Sequence, residues 1–168
     1  VTVDRIGDGA GVNVTETAED LTIDGVTVNA DDAGITGINV DGIDTDADNT
    51  YEIINTDLNN LGQDSVGIAV AEAASVSDGD QGTVAVSDNN IDGASEFIGI
   101  EYDLEDSVGT AVARNTILGE DVTGGASSVA INVTAVSETG TDEVLGAPST
   151  DDGPEFSGNT LSGHARII

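Results

Sequence analysis

The feature that most constrains this chain is a pair of apolar residues, five positions apart, that returns along its length: Val1/Ile6, Ile23/Val28, Ile53/Leu58, Val86/Ile91, Val112/Ile117 and Phe156/Leu161. Three positions after the first member of each pair stand Asp4, Val26, Thr56, Asn89, Asn115 and Asn159. Seven positions after it stand Asp8, Ala30, Asn60, Gly93, Gly119 and Gly163, so the last three copies share Asn-x-apolar-x-Gly. A second motif follows, a small residue before an apolar one in an alternating stretch. It reads Gly11-Val12-Asn13-Val14, Gly37-Ile38-Asn39-Val40, Gly67-Ile68-Ala69-Val70, Gly99-Ile100-Glu101-Tyr102 and Ala130-Ile131-Asn132-Val133, and His164–Ile168 would enter a sixth.

Self-similarity at fixed offsets signals units that cannot bury their apolar face alone and fold by stacking on their neighbours. The apolar stretches are short, rich in Val and Ile, and broken by Gly, Asn and Asp, which marks strands and turns. Ala71–Ala74 is the best helical candidate and is too short to stand. The spacing therefore predicts an all-β chain, with strand, tight turn, strand and variable loop forming one coil of a right-handed parallel β-helix. About six coils at roughly 4.8 Å each make a rod on the order of 30 Å long. Residues 1–168 read as one such domain, and the strand-like ends, Val1–Val3 and Ala165–Ile168, read as an excerpt of a longer chain. A β-sandwich, which also has short and evenly spaced strands, is the alternative.

The offsets assign roles. Asn89, Asn115 and Asn159 are expected to stack at one corner and share side-chain amide hydrogen bonds along the axis. Glycine or asparagine closing the strand suits a turn that needs positive φ. The copies begin at residues 1, 23, 53, 86, 112 and 156, so their spacing is uneven. The longest spacer, Thr134–Glu155, holds Gly140, Gly146, Pro148 and Pro154. Loops that vary on a constant scaffold are where binding usually resides.

Charge narrows the setting. Against 33 acidic residues stand only Arg5, Arg114 and Arg166, with no lysine, for a formal net charge of -30. Such a surface repels nucleic acid and anionic membranes, which are bound by clustered cations. The acids are scattered singly or in adjacent pairs among Val, Ile and Leu, unlike the blocks of a disordered tail. A folded domain with an acidic skin and no lysine points to a halophilic source, where molar salt screens the self-repulsion. The absence of cysteine removes disulfides and thiolate metal sites, and no run approaches the length of a membrane span.

The run Val86-Ser87-Asp88-Asn89-Asn90-Ile91-Asp92-Gly93, followed by Phe97-Ile98-Gly99-Ile100, resembles the parallel β-helix repeat of the pectin-lyase-like superfamily. That group includes the copper-maturation (NosD-like) proteins and many surface proteins of haloarchaea. The resemblance implies a fold and no single activity, since the superfamily spans lyases, hydrolases, tailspikes and adhesins. Its lyases use an Arg or Lys base beside Ca²⁺-binding carboxylates, and its hydrolases use several Asp on one strand face.

Asp88 and Arg114 occupy equivalent positions in neighbouring copies, about 4.8 Å apart if the copies stack. They are the one catalytic candidate, a base beside a carboxylate, and equally a simple cross-coil ion pair. Asp44, Asp46 and Asp48 place oxygens at alternate positions like the start of a Ca²⁺ loop, although Asn49 stands where that loop needs glycine and Asn55 where it needs glutamate. Asp78-Gly79-Asp80 is a weaker version. His164 is the lone histidine, and with Met and Cys absent the copper role of the NosD-like proteins has no ligand set. Asn13-Val14-Thr15 and Asn132-Val133-Thr134 are N-glycosylation sequons at outward positions of the second strand.

The expectation is a non-catalytic extracellular module, part of a cell surface or virion fibre of a halophile. Its loops would contact glycans or surface proteins, and it would self-associate as a homotrimer or by stacking on flanking coils. The alternative is a polysaccharide lyase or glycoside hydrolase. The charge makes a first prediction: circular dichroism shows a β spectrum in molar KCl that collapses on dilution, and a spectrum indifferent to salt contradicts the halophilic assignment.

Overall fold

The computed structural model describes residues 1–6, 9–15, 20–30, 32–43, 49–72, 83–93, 96–103, 111–119, 129–133 and 155–162, and these contain strands and no helix. The strands fall into successive groups that follow the sequence copies. The first group is β1 (Thr2–Ile6) and β2 (Ala10–Thr15). Next come β3 (Leu21–Asp24), β4 (Thr27–Ala30) and β5 (Thr36–Ile43), then β6 (Thr50–Ile54), β7 (Asp57–Leu61) and β8 (Val66–Glu72). They continue with β9 (Thr83–Ser87), β10 (Asn90–Gly93) and β11 (Ile98–Asp103), then β12 (Ala111–Ala113), β13 (Thr116–Gly119) and β14 (Val129–Val133). The last are β15 (Glu155–Ser157) and β16 (Thr160–Ser162).

Each strand pairs with the strand three places along the chain. The result is three sheets, ordered β1-β4-β7-β10-β13-β16, β2-β5-β8-β11-β14 and β3-β6-β9-β12-β15. Every ladder between described strands is parallel. Parallel neighbours cannot be joined by a hairpin, and here the connection between them passes through the other two sheets. This architecture is consistent with a β-solenoid. It rules out the β-sandwich alternative, whose sheets are antiparallel.

The apolar residues picked out by the repeat become continuous rows. Ile23, Ile53, Val86, Val112 and Phe156 are in register in the third sheet. Val28, Leu58, Ile91, Ile117 and Leu161 align in the first sheet, and Val12, Ile38, Ile68, Ile100 and Ile131 in the second. Most of these side chains belong to one buried cluster. Burying a side chain of this size stabilises by about 1.5–3 kcal/mol. Stacking thus supplies what no single unit could.

The first copy is placed differently from its sequence alignment. Val3, not Ile6, stands beside Val28, and Ile6 lies beside Ala30 across a register shift. The Val1 carbonyl accepts from the Thr27 N–H at 2.8 Å, as the Val26 carbonyl accepts from Asp57 at 2.9 Å. Val1 therefore occupies the row of Val26, Thr56, Asn89 and Asn115. Val1 and Ile6 satisfy the five-residue spacing, but Val3 is apolar too and can take the place of Ile6 in the row. The uninterrupted ladder from Thr2 to Asp4 selects Val3.

The small residue of the second motif has a steric cause. A β-carbon on Gly67 would lie 2.4 Å from the Gly99 carbonyl oxygen and 2.8 Å from Ile91 Cγ2. On Gly99 it would lie 2.5 Å from the Ala130 oxygen and 2.6 Å from Ile117 Cγ2. The second sheet enters directly against the apolar row of the first, and at Gly67 and Gly99 that approach leaves no room for a β-carbon. Gly93 also makes room, rather than supplying the positive φ expected of it: a β-carbon there would meet the Phe97 ring at 3.0 Å, and Gly93 is not among the positive-φ glycines. Asn60 does have positive φ, at 58°.

Gly67→Ala is expected to destabilise the protein by about 1–3 kcal/mol, the usual cost of overpacking. Thermal unfolding measures it, and a variant that melts with the parent contradicts the close approach of the two sheets.

Candidate functional site

Polar and charged side chains gather at the two-residue turn that joins each third-sheet strand to the following first-sheet strand. The turns are Gly25-Val26, Asn55-Thr56, Asp88-Asn89, Arg114-Asn115 and Gly158-Asn159. The first residue of each is left-handed, with φ of 63°, 53°, 58°, 56° and 64° in chain order. Glycine and asparagine accept this conformation cheaply, whereas arginine is an uncommon occupant. The second residue turns inward, and Thr56, Asn89 and Asn115 are buried polar side chains.

That burial leaves main-chain hydrogen bonds to be satisfied, because backbone groups turned into the stack need partners there. The side-chain amides meet the need in a repeating pattern. Nδ2 of Asn89 donates to the Ile53 carbonyl at 2.9 Å, Nδ2 of Asn115 to Val86 at 2.8 Å, and Nδ2 of Asn159 to Val112 at 2.8 Å. Each Oδ1 accepts from the main-chain N–H of the preceding unit: Thr56 to Asn89 at 3.0 Å, Asn89 to Asn115 at 3.1 Å, Asn115 to Asn159 at 2.9 Å. The amides also link to one another, Asn89 Nδ2 to Asn115 Oδ1 at 3.0 Å and Asn115 Nδ2 to Asn159 Oδ1 at 3.1 Å. Thr56 Oγ1 donates to Asn89 Oδ1 at 2.8 Å and joins the ladder, a role that sequence reasoning does not assign to it.

Asp88 and Arg114 sit at successive left-handed positions of the same turn, and the structure brings them together. Arg114 Nε donates to Asp88 Oδ1 at 2.8 Å and Nη2 to Oδ2 at 2.6 Å, with 61% and 40% of the two side chains exposed. The hydrogen bond from Arg114, more than its charge alone, holds the Asp88 carboxyl below the usual carboxylate range. The same bond pushes the Arg114 guanidinium up, against the release of a proton that a general base requires. As an exposed pair it adds little to stability, and less in high salt.

A second turn precedes the second sheet. Gly34, Asp64 and Glu96 are left-handed there, at 69°, 58° and 64°, and the buried Ile35, Ser65 and Phe97 follow them. Ser65 Oγ accepts from the Ile35 N–H at 3.2 Å, and Gln63 Nε2 donates to Glu96 Oε2. A concavity of about 470 Å³ opens here, with Asp64 and Glu96 on its lining. Sequence reasoning misses these two carboxylates, although counting back three residues from Gly67 and Gly99 leads to them.

The sequons lie in the outward row Asn13, Asn39, Ala69, Glu101 and Asn132 of the second sheet. Asn39 Nδ2 donates to Asn13 Oδ1 at 2.8 Å, and Asn132 Nδ2 donates to Glu101 Oε1 at 3.2 Å. Asp44, Asp46, Asp48, Asp78, Asp80, Thr134 and His164 lie outside the described residues, as does most of the longest spacer. Among the described residues no group of three or more His, Cys, Asp or Glu is disposed to hold a metal ion, and no helix is long and apolar enough to cross a membrane.

No protein-family model, curated protein or solved structure matches this chain.

The ion pair predicts a signed pH effect. Because the folded Asp88 carboxyl titrates below its ordinary value, the pair's contribution is present above that value and is lost as pH falls through the lowered one. In Arg114→Ala, an NMR titration of Asp88 is expected to move back up to the ordinary carboxylate range. An unchanged midpoint contradicts the pairing.

Proposed function

We propose that this chain is a stretch of right-handed parallel β-helix that serves as a non-catalytic structural or adhesive module at the surface of a halophilic cell or a virion that infects one. The observation that carries this reading is the continuous amide ladder of Thr56, Asn89, Asn115 and Asn159 within three parallel sheets. The buried polar side chains of that corner are engaged in holding one unit to the next, which makes a stiff spacer. The loops between units supply the contact surfaces, for glycans, surface proteins or further copies of the chain as a trimer or an end-to-end stack. The net charge of -30 supports a high-salt exterior setting and disfavours anionic ligands at low salt.

The lyase reading needs Arg114 to act as a base, and the bidentate bond to Asp88 works against it. The composition also offers only two Phe and two Tyr as platforms for sugar rings. Incubation with acidic polysaccharides in molar KCl, followed by ultraviolet absorbance of unsaturated products and by reducing ends, separates the two. The expected result is no turnover. Turnover that disappears in Arg114→Ala contradicts the structural reading.

A further inference from the structure

We infer that the concavity beside Asp64 and Glu96 binds an organic cation in which two ammonium groups are joined by a short alkyl chain, as in diamines and polyamines. Such a site is independent of the compartment in which the chain works, so it stands or falls apart from the surface reading.

The concavity, of about 470 Å³, is lined by these two carboxylates together with the aliphatic Val66, Ile98 and Val129. Val66 and Ile98 belong to β8 and β11, each of which has a paired strand on both sides. Ser65 and Gly67 flank Val66, Phe97 and Gly99 flank Ile98, and all four are buried. Val66 and Ile98 therefore point outward, and both are half-buried. Ile98 stands in register between Val66 and Val129, so the three make an aliphatic strip along the outer face.

The core does not require that strip. In the first sheet the matching position, directly after its own left-handed turn, is occupied by Thr27, Asp57, Asn90 and Thr116. Thr36 holds the place in β5. The backbone thus accepts polar side chains here, and outward aliphatic ones in contiguous array mark a binding surface.

The carboxylates give the sign of the partner and the strip gives its body. Asp64 and Glu96 hold the left-handed position of successive units, roughly 4.8 Å apart along the stack. A short alkyl chain between two nitrogens spans that distance. Gln63 Nε2 donates to Glu96 Oε2 and steadies that side chain, and a carboxylate accepts more than one hydrogen bond. A divalent metal ion is served less well. Calcium takes about 6–8 oxygen ligands, and among the described residues no group of three or more His, Cys, Asp or Glu is disposed to hold a metal. An alkyl diammonium meets both carboxylates and lays its methylenes on Val66 and Ile98. Salt weakens the charge pairing and leaves the apolar contact in place.

The test is methyl NMR of the whole chain, in the lowest KCl that keeps its β spectrum, titrated with putrescine, butylammonium or MgCl2. Putrescine is expected to shift the methyls of Val66 and Ile98 saturably, with butylammonium weaker and Mg²⁺ without effect on them. Asp64→Asn and Glu96→Gln are each expected to weaken putrescine about two- to fivefold, the size of an exposed charge pair. Val66→Thr with Ile98→Thr, which copies the residue at Thr36, is expected to remove the preference for putrescine over Mg²⁺. An unchanged β spectrum shows that each variant is folded. Shifts that stay linear and spread over the acidic surface overturn the inference, since they mark a counter-ion cloud. So do the absence of any shift at Val66 and Ile98, equal binding of butylammonium, or saturable binding that the variants leave unchanged.

Discussion

The rest of the structure depends on how the buried backbone is satisfied where the chain turns from the third sheet to the first. At that corner the main-chain N–H of Thr56, Asn89 and Asn115 and the carbonyls of Ile53, Val86 and Val112 all receive partners from asparagine amides one unit along. Each buried polar group left without a partner costs about 1–3 kcal/mol. One asparagine serves two such groups, so each rung carries a sizeable part of the roughly 5–15 kcal/mol by which a typical domain is stable. An apolar side chain in the same place fills space and supplies neither bond, as Val26 does earlier in the row. The ladder is thus the feature that turns stacked hydrophobic units into one defined register.

Register then dictates the remaining choices. Once the corner is fixed, the second sheet must enter against Leu58, Ile91 and Ile117, and Gly37, Gly67 and Gly99 follow from that contact. The left-handed residue before each ladder position points its side chain out of the stack, which puts Asp88 and Arg114 one above the other. Their ion pair follows from the turn, and its exposure keeps its energy small. Among the described residues the buried polar side chains are neutral amides and hydroxyls, and no carboxylate is one of them. Salt therefore acts mainly on the repulsion between surface carboxylates and little on the ladder.

Much of this is legible in the sequence because a stacked fold writes its register as fixed offsets. Asn89, Asn115 and Asn159 recur at one offset from an apolar pair, and amides repeated at one corner are what the buried backbone of a stack requires. The spacing misaligns the first copy because Val1 and Ile6 happen to match it, whereas the backbone ladder sets Val3, an equally apolar residue, beside Val28. The left-handed backbone at Asp88 and Arg114 is hidden because residue identity signals such a turn clearly only where it is glycine or asparagine, as at Gly25, Asn55 and Gly158. Asp64 and Glu96 are hidden for the same reason. The calcium-like run at Asp44, Asp46 and Asp48 falls outside the described residues and rests on sequence alone.

The most direct measurement of the account is hydrogen exchange of side-chain amides by NMR in molar KCl. The Nδ2 protons of Asn89 and Asn115 are predicted to exchange as slowly as the main-chain amides of β10 and β13, since each is buried and bonded within the stack. Exchange at the rate of a solvated asparagine, while those strands stay protected, would contradict the ladder and with it the register built on it.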